Sequence, residues 1–102
     1  MSNIQASRAA LIARILGDDA TAPLAQRRAA FDNSGLPEPL RALVDKVAHN
    51  ARAVRDEDFA VARASGLSED QLFELVVCAA VGQAARQYDA AFAALDAATQ
   101  KE

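Results

Sequence analysis

An all-α fold is what this 102-residue sequence predicts, on three observations. Apolar residues recur at intervals of three and four, the spacing of one helical face. No stretch alternates apolar and polar with the period of two that a half-buried strand requires. The helical stretches are separated by glycine, proline and capping residues, which punctuate helices rather than sheets. Together they describe about five helices with a long one at the C-terminal end.

The first helix is expected over residues 3–16, where Ile4, Leu11, Ile12, Ile15 and Leu16 form an apolar stripe that Gly17 ends. Beyond the Asp18-Asp19 turn, Thr21 is placed to cap a second helix with Pro23 in its first turn and with Leu24 and Phe31 on one face; it stops at Asp32-Asn33-Ser34-Gly35. Pro37 and Pro39 open a third helix, in which Leu40, Leu43, Val44, Val47, Ala51 and Val54 keep the three-and-four spacing. A short fourth helix is expected over 56–65, closed by Gly66. Ser68 with Gln71 three residues on forms a capping box that starts the fifth helix, over 69–98. Within it, residues 75–82 are apolar all the way round, which predicts a central helix or one whose second face meets another subunit. Only the termini read as disordered.

The length suits one domain covering 1–102, because halving it would leave two pieces too small to bury a core. Hydrophobic residues make up 52%, but 26 of them are alanine, against ten Leu, seven Val, three Ile, four Phe and one Met. Alanine buries little area, and burial stabilises by roughly 25 cal/mol per Å². The thin core predicts a homo-oligomer. The net charge of −3 excludes a general nucleic-acid binder, since the basic residues are scattered and the Arg27-Arg28 pair diverges by about 100° on a helix, reading as solvated surface. One cysteine cannot close an internal disulfide, no signal-peptide pattern opens the chain, and no run reaches the roughly 20 apolar residues of a membrane span. A reducing cytoplasm is the expected compartment.

The run Val54-Arg55-Asp56-Glu57-Asp58-Phe59, followed by residues 64–75 through Gly66-Leu67-Ser68 to Phe73-Glu74-Leu75, resembles the alkylhydroperoxidase D and carboxymuconolactone decarboxylase superfamily over about residues 40–95. In its peroxidase members a helix bearing Cys-x-x-Cys-x-x-x-His leads through such a turn into a long alanine-rich helix. Counting back from Gly66, the resemblance puts the histidine at Asp58 and the two cysteines at Val54 and Ala51. Thiol peroxidase chemistry is therefore excluded at this place, and the decarboxylase branch, which also resembles a histidine-bearing arrangement, is put in doubt by the same Asp58. The family's usual threonine before the acidic run is Arg55 here, so Asp56 is the expected cap.

The candidate site residues follow. Asp58 and Glu74 are the carboxylates that could move a proton, given a suitable pKa and a pocket. Asn50 falls on the apolar stripe of the third helix and must be hydrogen-bonded there. His49, the only histidine, falls on the polar face beside Asp45, Arg52 and Asp56, and alone supplies too few ligands for a specific metal site. Glu74 and Arg86 are too far apart to pair, so each is expected to meet a neighbouring helix, Glu74 through an arginine of the third, or Arg86 to pair with Asp89. Cys78 sits in the most apolar stretch and reads as an inert packing residue. No cofactor or metal is expected. Two readings result: a non-peroxidase superfamily member acting as a self-assembling binding or assembly module, as a trimer or hexamer, with a small-molecule ligand open to it; or a carboxylate enzyme acting on a small organic acid or lactone. A cysteine-bearing partner subunit is a third.

Overall fold

A computed structural model describes residues 2–100; Met1, Lys101, Glu102 and the side chains of residues 2–4 lie outside the description, and with them the expected disorder of the extreme termini and the part of Ile4 in the first stripe. The described chain is helical, with no strand: α1 (Ser2–Ile15), α2 (Leu24–Asp32), α3 (Leu40–Asn50), a 3-10 turn (Ala51–Ala53), α4 (Asp56–Ala62), a second 3-10 turn (Arg63–Ser65) and α5 (Glu69–Gln100). None of these helices is long and apolar enough to cross a membrane.

Local chemistry sets the boundaries of α5. The Ser68 N–H donates to Gln71 Oε1 (2.9 Å) and the Gln71 N–H donates to Ser68 Oγ (3.1 Å), the reciprocal bonds of a capping box. Gly66 precedes it at φ +92°, a left-handed conformation that closes the turn after α4 and that a side chain would strain. Asn33 takes the same region (φ 52°) at the end of α2.

The core lies where α2 and α3 pack on the first half of α5. Leu40, Leu43, Val44 and Val47 of α3 meet Leu72, Leu75, Cys78 and Ala79 of α5, joined by Ala30, Leu36 and Ala62. Gly82 permits the closest approach, because a Cβ there would collide with the Phe31 carbonyl at the end of α2. The hydrogen bonds between the helices give their directions. Glu74 lies by Ala22 and Arg86 by Phe31, so α2 runs with α5; Cys78 lies by Ile15 and Asp89 by Arg8, so α1 runs against it. None of the described side chains of α1 is buried.

Three expectations change. The third helix stops at Asn50 although the apolar spacing continues through Ala51 and Val54: Ala51 begins the 3-10 turn and Val54 is extended. The chain thereby swings α4 back toward α3, where Lys46 pairs with Asp58 at 3.0 Å. Thr21 does not cap α2, whose N-cap position is Pro23 with no side-chain bond. Residues 75–82 are buried on one face through Leu75, Cys78, Ala79 and Gly82, while Val76, Val77 and Val81 are half-buried and Ala80 is exposed.

Candidate functional site

Asp58 occupies the third position of α4, and its carboxylate turns back to accept the backbone N–H of Arg55 at 2.7 Å. The cap expected of Asp56 is thus made by Asp58, since the N3 side chain is the one that reaches the N-cap N–H. The same carboxylate accepts Lys46 Nζ at 3.0 and 3.2 Å. The Arg55 N–H and then the Lys46 ammonium hold its pKa below the ordinary carboxylate value. A general base works best with a pKa near the operating pH, so this carboxylate is a weak one.

Glu74 meets no arginine of α3. It accepts the N–H of Ala22 at 2.6 Å and of Thr21 at 3.0 and 3.1 Å, with the Thr21 hydroxyl alongside. Partial burial pushes its pKa up, but these hydrogen bonds and the nearby Arg27 charge outweigh burial and hold it below the ordinary value. Arg86 does not pair with Asp89. It donates to the Phe31 carbonyl and, at 3.0 Å, to Gln83 Oε1. The twelve residues separating Glu74 from Arg86 span about 18 Å of helix, enough to bracket α2. The acid sits at the N-terminal end of α2 and the base at a carbonyl of its last turn. Each charge thus complements that end of the α2 macrodipole: Arg86 satisfies a carbonyl of the helix's last turn, and Glu74 holds the two amides that precede its N-cap, Pro23.

The remaining candidates are at the surface. Asn50 is exposed rather than on the buried stripe, because α3 ends there. His49 is also exposed, 3.5 Å from Asp45 and 3.1 Å from Asn33 Nδ2; Arg52 and Asp56 are not its partners. Among the described residues, no group of three or more His, Cys, Asp or Glu is placed to hold a metal ion. Cys78 is 1% exposed, and burial pushes its thiol pKa up, beyond the opposing effect of Arg27. It is a packing residue of the core, as its apolar setting implies.

Sequence reasoning missed Arg27. It is 4% exposed, and its guanidinium donates to the carbonyls of Ala22 (2.9 Å), Ile15 (3.0 Å) and Gly17 (2.6 Å), fixing the α1–α2 connection. A fork of donors suits three divergent carbonyls. Arg28, its neighbour, is exposed as expected. The i+3 relation of Arg27 to the buried Ala30 is the local signal that separates the two arginines.

Two clefts adjoin the first turns of α5. One, of about 380 Å³, is lined by Asp56, Phe59, Ala60, Arg63, Glu69 and Phe73, with Arg63 and Glu69 paired at 2.7 Å. The other, about 160 Å³ and apolar, is lined by Ile15, Ala20, Phe73, Glu74, Val77 and Cys78. Of the candidates, Glu74 lines the second; Asp58, Asn50, His49 and Arg86 line neither. The five do not converge on a pocket. The described residues thus form an all-helical fold in which Asp58, Glu74 and Arg86 are engaged in contacts between its elements. Comparison with models of protein families, with curated proteins and with solved structures gives no match.

Proposed function

We propose that this chain is a non-peroxidase relative of the alkylhydroperoxidase D-like proteins, working as a helical homo-oligomer in a binding or assembly role. The observation that carries the proposal is surface. The chain exposes 6760 Å², whereas a compact monomer of 10.8 kDa exposes about 5,500 Å². Its radius of gyration is 15.4 Å against about 13 Å for a compact domain of this length. The difference is on the order of 1,000 Å², comparable with the roughly 800 Å² per partner of a standard interface.

The commitments of Asp58 and Glu74 support a scaffold over the carboxylate enzyme, since both are already saturated with backbone or lysine donors. Light scattering of the purified protein tests the assembly: a discrete oligomer is expected, and a monomer at micromolar concentration overturns it. An assay of organic hydroperoxide reduction with a dithiol donor tests the other half. No turnover above the uncatalysed rate is expected, and robust turnover rejects the non-peroxidase reading.

A further inference from the structure

The outer side of α5 carries a second apolar face, turned away from the core. Phe73, Val77, Ala80, Ala84, Gln87, Ala91, Ala94 and Ala98 follow one another at alternating intervals of four and three, the spacing of a helix–helix seam. Leu95 flanks it. Phe73 is 61% and Leu95 57% exposed, Val77 is half-buried, and the other six are exposed. The seam carries no charge over about 37 Å of helix. Solvated helix faces are normally charged or polar, so a face of this length without a charge is built to be covered.

We propose that this face packs against the same face of a second copy, the two α5 helices running antiparallel about a two-fold axis near Ala84 and Gln87. The inference rests on the self-assembly proposed above and names its surface. Two observations, one of the whole chain and one of the face, choose the occupant and the direction. The surplus surface is of the size one partner contributes to a stable interface. The bulk is also graded: Phe73 and Val77 lie at one end and alanines at the other. Antiparallel pairing sets Phe73 against Ala98 and Val77 against Ala94, so large meets small at both ends of the seam, and sets Ala80 against Ala91 nearer the axis, where small residues let the helices approach. Parallel pairing would set Phe73 against Phe73 and leave the alanine ends apart. A two-fold axis also requires an even number of subunits, which makes a hexamer compatible and a lone trimer incompatible.

The test is cross-linking of the full chain. Ala80→Cys and Ala91→Cys are expressed separately and together, and each preparation is air-oxidised. In the antiparallel seam position 80 of one copy faces position 91 of the other, while like positions lie about 16 Å apart along the axis. A disulfide-linked dimer is expected only on co-expression, with buried Cys78 unlinked in the wild type. Ala84→Glu, at an exposed position, is expected to keep its helical circular dichroism and to halve the mass seen by light scattering. Cross-linking of each variant with itself would overturn the antiparallel arrangement. An oligomer with no mixed cross-link and an unchanged Ala84→Glu mass, or a wild-type trimer, would overturn the seam and leave the self-assembly proposal standing. A monomeric wild type, alone or holding a foreign polypeptide, would remove both.

Discussion

Helix α5 is one continuous element with two different surroundings. Its first half buries Leu72, Leu75, Cys78, Ala79, Gly82 and Ala85 against α2 and α3. From Arg86 to Gln100 none of its residues is buried, and its neighbour is α1, held by Arg8 on Asp89 and Tyr88. A 32-residue helix does not need a core along its whole length once it has formed, because propagation is far easier than nucleation. The first half fixes the fold. The second extends a preformed surface whose alanines keep it helical at little side-chain entropy cost.

The sharpest form of this contrast is the same substitution in both halves. Leu75 is fully buried and Leu95 is 57% exposed. Leu75→Ala is expected to cost about 2–5 kcal/mol, and Leu95→Ala, read in the Ala84→Glu background, less than about 0.5 kcal/mol. Urea denaturation followed by circular dichroism measures both. Equal costs would mean that the second half is as firmly packed as the first.

A substitution that reverses sign comes next. Gly→Ala inside a helix ordinarily stabilises by about 1 kcal/mol. At Gly82 the new Cβ meets the Phe31 backbone, so α2 must move away, and Gly82→Ala is expected to destabilise by about 1–3 kcal/mol. A raised melting temperature would show that α2 does not sit against α5 at this point.

What the sequence disclosed and what it concealed divide along the same line as these contacts. The Ser68/Gln71 cap, the Gly66 turn and the Leu40 to Val47 stripe were legible because the groups that decide them lie within four residues of one another. The end of α3 was not, since its spacing runs on past Asn50, whereas the turn there returns α4 to α3, where Asp58 meets Lys46, a contact between residues twelve apart. Thr21 looked like a cap because its partner, Glu74, is 53 residues away. Arg27 looked solvated because its partners are the backbone carbonyls of Ile15, Gly17 and Ala22, beyond the next helical turn in the sequence, and a carbonyl leaves no mark on the side-chain pattern. The candidate residues were chosen for their polarity and place along the helices, but position along a helix does not say whether a charge faces a substrate or a helix end. Glu74 and Arg86 face a helix end.

That assignment gives a pH-dependent test. The Glu74 pKa is lowered in the folded chain from its ordinary 4.5, so its stabilisation is complete above that value and is lost as pH falls through the folded pKa. Glu74→Gln is expected to lower stability at pH 7 by about 1 kcal/mol, allowing for solvent screening of a partly exposed group. The variant should also lose part of the wild type's decline below pH 4.5, so the two stability curves converge in acid. Parallel curves would mean that the carboxylate does not hold the Thr21 and Ala22 amides.

The smallest effect is expected where α1 meets the second half of α5. Arg8 donates to both oxygens of Asp89, at 2.7 and 3.0 Å, and lies 5.6 Å from the Tyr88 ring centre, with Tyr88 and Phe92 tilted together at 4.7 Å. Asp89 is well exposed, with 64% of its side chain accessible, and exposed ion pairs contribute little to global stability. Arg8→Ala should therefore leave the melting temperature almost unchanged. The contact itself is still visible in titration. The hydrogen bond from Arg8 holds the Asp89 pKa below its ordinary value, and in the variant the Asp89 pKa should rise, as followed by carboxyl carbon NMR. A melting temperature that stays put while the Asp89 titration moves identifies α1 as a strap tied by a local, solvent-screened contact. If neither moves, α1 and α5 are not bridged here, and the second half of α5 is freer still than the contrast with its first half implies.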